Sequence, residues 1–270
     1  EIMPSLVGSE MCIRDSPDTL VSGERVALLS TPQDRVRLME ALYGIDEVLP
    51  IRFDRQMRDM PWEQFLHSVL LGQYHAAALI CGHDFRFGAR GAGTAARLLE
   101  ACAKLGIGCA VIPEYRLEGI TVSSTYIRTL LESGDLDRAR QFLGHPHQFT
   151  GTVVPGTRLG RTLGAPTANL KVSPELLLPP HGVYACRVWV QGEAHLAVTN
   201  IGVRPTVSGQ GLTIEPWLLD YDGDLYGQRI TLELWHFLRG EQRFPSLEAL
   251  QAEIHRNASQ TRAFFAAHST

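Results

Sequence analysis

The chain of 270 residues is long enough for one or two domains, and its 44% hydrophobic and 20% charged residues are typical of a globular protein. A net charge of −4 gives no electrostatic footprint for a nucleic-acid backbone, and the apolar runs are far shorter than the ~20 residues of a membrane span. The two lysines, Lys104 and Lys171, lie in no Gly-Lys-Ser/Thr, which excludes a Walker-type phosphate loop. We therefore expect a cytoplasmic protein without nucleic-acid or membrane partners.

Residues 1–16 fit no pattern in the rest of the chain, and we expect them to be a foreign leader. From residue 17 to residue 144, strands alternate with helices, which predicts an α/β layer with a parallel sheet. The predicted helices begin after the capping Thr31, after Pro61 and at about Thr94. The predicted strands are Glu47–Ile51, Ala76–Cys81 and Ile107–Ile112.

The loop Gly82-His-Asp-Phe-Arg-Phe-Gly88 leaves the carboxyl end of a predicted strand, where ligands of open sheets bind. Asp84 can accept a hydrogen bond from a hydroxyl or a ring nitrogen, and Phe85 offers stacking surface. The alternative is a hairpin-like loop held by its own phenylalanines. The nearby Gly91–Ala96 fits a dinucleotide fingerprint, G-x-G-x-x-A, but lies ten residues beyond the strand, where that fingerprint needs a tight turn.

A second candidate site is Ser123-Ser-Thr-Tyr-Ile-Arg128, which opens a helix that ends at Gly134. Serines at a helix start usually only cap it. A helix N-terminus with Arg128 one turn in is also a site for an anion. Asp135 then begins a short helix, and Gly144–His147 is the expected domain junction.

The stretch from Gly151 to Asn169 carries the strongest signal for phosphate. Its glycines recur every fourth residue with two arginines between them: Gly156, Arg158, Gly160, Arg161 and Gly164. Glycine lets backbone N–H groups face anionic oxygens, and arginine adds fork-shaped donors. The alternative is a glycine-rich hairpin with two solvated arginines.

Thr167 and Asn169 point to the same side if Pro166–Asn169 is extended. A hydroxyl and an amide oxygen together with substrate phosphates are what a hydrated Mg²⁺ accepts. We therefore predict a phosphate and magnesium site here.

After Gly151 the pattern predicts an antiparallel barrel closed by a C-terminal helix to about Ala267. Its expected strands are Thr150–Val154, Val183–Val190, Ala194–Thr199, Thr213–Asp220 and Arg229–Trp235. Asp220, Asp222 and Asp224 are interpreted as turn residues rather than metal ligands.

Six motifs in one order resemble the bacterial bifunctional riboflavin kinase/FMN adenylyltransferase family. They are Gly156–Asn169, Leu178–Tyr184, Asn200–Thr206 and Leu219–Gly227 for the kinase, with Gly82–Gly88 and Val122–Arg128 for the adenylyltransferase half. The resemblance implies a Rossmann-like nucleotidyltransferase domain over 17–144 and a riboflavin kinase barrel over 147–268. It also implies ATP, riboflavin and FMN as substrates and Mg²⁺ as cofactor.

The resemblance also assigns roles. Glu215 is the implied catalytic residue, and the implied flavin contacts are Asn200, Arg204, Thr206, Arg239 and Glu241. For the adenylyltransferase, the implied nucleotide or FMN contacts are Gly82, Asp84, Phe85, Ser123, Ser124, Thr125 and Arg128. Phe237 and Trp235 are further candidates to line the flavin slot, with core packing as the alternative.

The sequence departs from the family at three points. Pro216-Trp217 stands where the family has a residue followed by His, and Gly240 stands in place of a proline. The family's His-x-Gly-His loop is absent from the chain, so we expect FMN adenylylation to be impaired. The alternative to an enzyme is a flavin- or nucleotide-binding fragment without turnover, and a nicotinamide dehydrogenase is a third reading that rests on Gly91–Ala96.

Overall fold

The computed structural model describes residues 9–13, 27–156, 165–206 and 209–268, and it places the side chains of 27–156, 165–203 and 211–268. The chain separates into two compact units, the first built on residues 36–122 with the N-terminal strand and the second on residues 27–35 and from residue 123 onward. Each unit has its own hydrophobic core.

Parallel strand pairs organise the first unit, as the alternation of strands and helices predicted. β1 (Ser9–Ile13) pairs with β2 (Glu47–Ile51), and β3 (Ala78–Gly82) pairs with β6 (Gly108–Ile112). β1 lies within the expected leader and takes part in pairing. The assignment of residues 1–16 as foreign stays a prediction.

Three helices of this part of the chain begin where the sequence predicted: α1 (Pro32–Tyr43), α3 (Trp62–Gln64) and α4 (Ala95–Leu105). The short helix α2 (Arg55–Asp59) was not predicted. Thr31 Oγ1 accepts the Asp34 N–H at 3.1 Å at the start of α1. Gly106 ends α4 in the left-handed region at φ 70°, which a residue with a side chain adopts only with strain.

The helix predicted after Pro61 is present, but its winding differs from the expected α-helix. After α3 the chain continues as a π-helix over Phe65–Gln73, and the Tyr74 N–H bonds the Val69 carbonyl five residues back. Phe65 and Val69 are buried in the core of the first unit.

The glycine-rich loop after β3 is a small hairpin rather than an irregular loop. β4 (Arg86–Phe87) pairs antiparallel with β5 (Gly93–Thr94), and a further two-stranded hairpin follows β6, formed by β7 (Arg116–Leu117) and β8 (Ile120–Thr121). Phe85 and Phe87 stack with ring centroids 5.2 Å apart. The hairpin alternative for this loop is therefore the observed backbone.

Two short helices open the main part of the second unit. α5 (Ser124–Ser133) is capped by Ser123, and α6 (Leu136–Leu143) is capped by Asp135, whose side chain accepts the Arg138 N–H at 3.1 Å. Both helices end at a glycine in the left-handed region, as the sequence predicted.

A six-stranded antiparallel sheet, nearly closed into a barrel, forms the rest of the second unit. The strands are β9 (His147–Val154), β10 (Asn169–Lys171), β11 (Gly182–Val190), β12 (Glu193–Thr206), β13 (Gly209–Leu218) and β14 (Arg229–Gly240). Their spatial order is β10-β9-β14-β11-β12-β13. The predicted barrel is confirmed, with β10 as an additional strand.

The two outer strands of this sheet meet at one main-chain bond. The Ala168 N–H, directly before β10, donates to the Pro216 carbonyl of β13 at 2.9 Å. Inward-facing side chains such as Tyr184, Ile201 and Leu232 are fully buried. The barrel is thus a packed core, as expected for a small closed sheet.

The C-terminal helix α7 (Leu247–Ala267) lies against β11 and β12. Ser246 caps it by accepting the Ala249 N–H at 3.2 Å. Ala258 packs with Val183 and Val198 of the barrel. The predicted C-terminal helix is therefore present and packs on the barrel.

Glu233 is a buried carboxylate on the outer side of β14. Its two oxygens accept the indole N–H groups of Trp189 at 2.6 Å and Trp235 at 2.9 Å. The Arg187 guanidinium lies 4.9 Å from the Trp235 ring centroid and 5.3 Å from that of Phe265 on α7. Trp235 therefore packs against Phe265 of α7, which is the core-packing alternative for this residue.

His147, the first residue of β9, is enclosed by the second unit. Its Nε2 donates to the Leu177 carbonyl at 3.0 Å. Burial lowers the pKa of His147 to about 4, so the imidazole is neutral at pH 7. Over the part of the chain that the structure describes, no helix is long and apolar enough to span a membrane.

Candidate active site

The Thr167–Asn169 segment lies between two strands of the barrel. Asn169 begins β10 and is paired with Val154 of β9. Two residues beyond Val154, the backbone of Gly156 lies directly against the Asn169 carboxamide, and a methyl group on Gly156 would overlap that amide. Glycine at this position therefore lets the two predicted site residues meet.

Glu215 lies on β13, opposite the Thr167–Asn169 segment, at the edge where β10 and β13 meet (the seam of the barrel). It precedes Pro216, whose carbonyl accepts the Ala168 N–H at 2.9 Å. Glu215 is only 6% exposed, so its carboxylate is enclosed in the barrel. The fold thus brings Gly156, Asn169 and Glu215, which are far apart in sequence, to one place.

Four other residues predicted to bind phosphate lie outside the described residues: Arg158, Gly160, Arg161 and Gly164. Their assignment to phosphate binding stays a prediction.

A cavity of about 550 Å³ opens beside Thr167. Its lining residues come from the Thr167 segment, from β9 and β13, and from the turn after β13: Val153, Pro166, Thr167, Ala168, Leu218, Tyr221, Asp222, Gly223, Asp224, Leu225 and Tyr226. The turn residues were not predicted as a binding surface. Asp224 Oδ1 accepts the Tyr226 N–H at 3.0 Å, in agreement with the turn role expected for this aspartate.

Of the predicted flavin residues, Asn200 and Glu241 lie together. Asn200 is paired in register with Glu215 across β12 and β13, so the two side chains share one face of the sheet. The Glu241 carboxylate lies over Gly202, and the Asn200 Nδ2 would be 3.5 Å from a methyl group placed on that glycine. The kinase residues Asn200, Glu215 and Glu241 are therefore neighbours.

Arg239 points elsewhere. Its Nε donates to Asn257 Oδ1 of α7 at 3.1 Å, and its Nη1 donates to the Gly240 carbonyl at 3.1 Å. Arg204 and Thr206 lie on β12, paired with Gly211 and Gly209, and their side chains are outside the described part. Sequence reasoning missed Asn257, although a polar residue within the apolar stripe of a helix is a signal that could have found it.

Phe237 lies close to the end of the barrel. Its ring is 5.3 Å from that of Tyr184, and it also contacts the backbone of Gly182. Phe237 is 36% exposed, so one side of the ring is accessible. Unlike Trp235, it remains a candidate to contact a ring-shaped ligand.

The predicted adenylyltransferase residues fall into two groups, one in each unit. In the first unit, Gly82 ends β3, Asp84 Oδ1 lies near Gly82, and the Phe85 N–H closes a turn onto the Gly82 carbonyl at 3.1 Å. This turn leaves the carboxyl end of a parallel strand, where the sequence placed it. No parallel strand directly precedes Gly91–Ala96, so the dinucleotide fingerprint lacks its structural context.

In the second unit, the Ser123–Arg128 motif forms the first turn of α5. Ser123 accepts the Tyr126 N–H at 3.3 Å, Ser124 is the first helical residue, and Thr125 accepts from the Thr129 hydroxyl through its carbonyl at 3.2 Å. Arg128 donates from Nε to the Ala27 carbonyl at 3.0 Å. Capping, which was the structural alternative for these serines, is thus observed for Ser123.

The first unit has parallel strands with a loop at a strand end, and the second unit has a nearly closed antiparallel barrel with a buried glutamate. This architecture agrees with the class that the sequence motifs resemble, a two-part transferase that uses nucleotides. Comparison with known proteins identifies the family.

The riboflavin kinase family matches residues 143–265, and the FAD synthetase family matches residues 10–126. Bifunctional riboflavin kinase/FMN adenylyltransferases are similar over most of the chain. The Listeria monocytogenes protein is 33% identical over 93% of this chain and 80% of its own length, and the Escherichia coli K12 protein is 39% identical over 88% and 76%. The chain belongs to the family of bifunctional riboflavin kinase/FMN adenylyltransferases, and it is an enzyme with ATP as a substrate.

A crystal structure from Streptococcus pneumoniae, described as a macrolide-efflux protein, has the same fold. It matches 95% of this chain and 84% of its own at a TM-score of 0.81 and 26% identity. The description as a macrolide-efflux protein applies to the Streptococcus protein and is not carried over to this chain. The gap between the two family matches, residues 127–142, contains most of α5 and all but the last residue of α6. The predicted domain boundary between 144 and 147 stays a prediction.

Proposed function

We propose that the second unit transfers the γ-phosphoryl group of ATP to the primary alcohol of riboflavin, giving FMN and ADP. The observation that carries this proposal is the meeting of Gly156, Asn169 and Glu215 at the seam of the barrel. The alcohol oxygen forms the new bond to phosphorus, the bond from phosphorus to the bridging oxygen of ADP breaks, and the alcohol proton passes to Glu215. A carboxylate within hydrogen-bond reach of the alcohol is suited to accept that proton as a general base.

The residues present fit a magnesium ion. Thr167 and Asn169 would hold Mg²⁺ through a hydroxyl and a carboxamide oxygen, with water and substrate phosphates as the other ligands. The ion would offset negative charge on the transferring phosphate. The described residues contain no group of three His, Cys, Asp or Glu arranged for a metal, which agrees with a site that relies on substrate oxygens.

The cavity beside Thr167 supports the placement of the nucleotide. At about 550 Å³ it is within the range of small-molecule sites, and it joins the proposed magnesium ligand to the aromatic side chains Tyr221 and Tyr226. We propose that the nucleoside of ATP occupies this cavity. Arg158 and Arg161, together with the N–H groups of Gly160 and Gly164, would then contact the phosphates.

Riboflavin is proposed to bind on the other side of Glu215. Asn200 and Glu241 supply polar contacts there, and Phe237 supplies apolar surface. Arg204 and Thr206 remain proposed contacts from β12. This arrangement places the vitamin and the nucleotide on opposite sides of the proposed base.

The first unit is proposed to transfer AMP from ATP to FMN, giving FAD and pyrophosphate. Gly82, Asp84 and Phe85 at the carboxyl end of β3 are the proposed contacts in the first unit. The Ser123–Arg128 motif of the second unit is a separate proposed nucleotide contact. We propose that this activity is severely reduced in a chain that contains no His-x-Gly-His, because losing one group that stabilises charge on the transferring phosphate typically costs ~10²–10³ in rate. FAD formation at a rate comparable to the relatives would contradict this part of the proposal.

The kinase assignment is tested by replacing both proposed magnesium ligands, Thr167→Ala with Asn169→Ala. We expect FMN formation to collapse while the melting temperature stays near that of the parent. Lys171→Ala is the matched control, since Lys171 is an exposed residue of the same strand, β10. Undiminished turnover in the double variant would refute the site, and riboflavin binding without FMN formation by the parent chain would favour the non-catalytic alternative.

A further inference from the structure

Asn257 is a polar residue enclosed within the packed face of α7. It is 1% exposed, and its side chain is fully engaged. Oδ1 accepts from Arg239 Nε at 3.1 Å, while Nδ2 donates to Glu253 Oε1 at 3.1 Å and Gln260 Oε1 at 3.2 Å. A buried amide with three partners of good geometry specifies one position for each of them.

Arg239 connects this amide to the end of β14. Its Nε also lies 3.5 Å from Glu253 Oε1, and its guanidinium lies 5.4 Å from the Phe244 ring. Its Nη1 donates to the Gly240 carbonyl at 3.1 Å. The arginine therefore fixes the peptide group that leads directly into Glu241.

Gly240, the last residue of β14, is held by its pairing with Gly182 of β11 and not by side-chain packing. A methyl group on Gly240 would meet no atom within 4 Å. The Arg239 contacts therefore add to the strand pairing as an anchor immediately before Glu241.

Glu241 needs such an anchor because its carboxylate fits only in a small space beside Gly202. Its carboxylate lies against Gly202, where any side chain would collide with it, and near the Asn200 amide. A small movement of the Gly240 peptide would carry the carboxylate away from Asn200. The contact series runs from Asn257 through Arg239 and the Gly240 carbonyl to Glu241.

We infer that Asn257 is a positioning residue for riboflavin: by holding Arg239 it keeps Glu241 against Gly202 and beside Asn200. This inference rests on the proposed assignment of Asn200 and Glu241 to the flavin site. It assigns no contact between Asn257 and the substrate. It also gives Arg239 a supporting role, since the guanidinium is directed at α7.

The test compares steady-state kinetics of the parent chain with Asn257→Leu, Asn257→Asp and Thr261→Val. Leucine has a similar volume but no hydrogen-bonding atoms, and aspartate keeps an acceptor for Arg239. Thr261 is a matched control, since it is fully buried one turn further along α7 and its hydroxyl has no hydrogen-bond partner among the described residues.

We expect Asn257→Leu to raise the KM for riboflavin about tenfold, with kcat and the KM for ATP changed by less than about twofold. Asn257→Asp keeps the acceptor for Arg239 but sets a carboxylate oxygen against Glu253 Oε1, so it should raise the KM for riboflavin less than Asn257→Leu does, and Thr261→Val should leave all three constants unchanged. A purely structural role would instead lower the melting temperature and shift both KM values together, and that result would overturn the inference. An unchanged KM for riboflavin in Asn257→Leu would overturn it as well.

If Asn257→Leu does not fold, Asn257→Ser is measured against the same criteria, since serine is too short to reach Arg239. Riboflavin dissociation constants from quenching of flavin fluorescence are measured in parallel. A parent chain that binds riboflavin but makes no FMN would refute the proposed kinase activity. The dissociation constants of the variants would still decide the role of Asn257.

Discussion

The contact between Gly156 and Asn169 makes Gly156→Ala a sharp test of the kinase site. The new methyl group would fall on the Asn169 carboxamide, 2.8 Å from its Oδ1 and closer still to its other atoms. Such overlap is relieved only if the Asn169 side chain rotates away or if β9 and β10 separate. Rotation removes a proposed magnesium ligand, and separation distorts the seam.

The size of the effect follows from these two routes. Overpacking of this kind costs about 1–3 kcal/mol of folding stability, or roughly 2–12 °C in Tm for a unit of this size. Displacing a group that offsets charge on the transferring phosphate lowers kcat by about 10²–10³. We therefore expect Gly156→Ala to lose activity far beyond what its loss of stability explains.

The assay is FMN formation at 25 °C, well below the melting temperature, with Tm measured on the same samples. Gly240→Ala is the control, because a methyl group there meets nothing within 4 Å and should change Tm by less than about 2 °C. Parental kcat and Tm in Gly156→Ala would mean that Gly156 and Asn169 do not meet as described.

Three further variants test other parts of the second unit. Glu215→Gln should lower kcat about 10²–10⁴-fold with little change in either KM, as expected for loss of a proton acceptor; a kcat within a factor of five of the parent would assign the base elsewhere. His147 is buried with a pKa of about 4, below its unfolded value near 6.5, so the unfolded state binds the proton first as pH falls and stability is lost between about pH 6.5 and 4. In His147→Gln, the free energy of unfolding measured in urea should change less over that pH window, by up to about 3 kcal/mol less than in the parent. An unchanged pH dependence would rule out the histidine as its source. Glu233→Leu leaves two indole N–H groups without their acceptor and should lower the free energy of unfolding by about 2–4 kcal/mol, whereas a loss below ~0.5 kcal/mol would show that these groups find other partners.

Much of the architecture could be predicted because local chemistry specifies it. Ser123, Asp135 and Ser246 cap helices where hydroxyl and carboxylate side chains precede apolar periodicity. Gly106 and Gly134 end helices in a backbone region that other residues avoid. These signals lie within a few residues of the feature they determine, so a single sequence contains them.

Other features depend on residues distant in sequence. The π-helical winding of Phe65–Gln73 shows the same apolar pattern as an α-helix over a short segment, and tertiary packing selects between them. β10 has three residues and exists because β9 supplies its partner. The direction of Arg239 depends on Asn257, eighteen residues further on, and no spacing rule connects a strand arginine with a helix amide.

The candidate site shows the same division. The sequence indicated Thr167 and Asn169 through an i, i+2 pattern, which an extended backbone satisfies. The cavity lined by Tyr221 and Tyr226 was missed, because it forms only where the turn after β13 faces the Thr167 segment, which is distant in sequence.

The barrel is closed weakly between β10 and β13. Three residue pairs tie β10 to β9, and the Ala168–Pro216 bond ties the segment before β10 to β13, whereas β12 and β13 share ten pairs. Local thermal opening of the barrel should begin at this edge, because few hydrogen bonds hold it. A nucleotide that contacts both the β10 segment and β13 would stabilise the edge, so amide hydrogen exchange should slow first at Ala168 and Asn169.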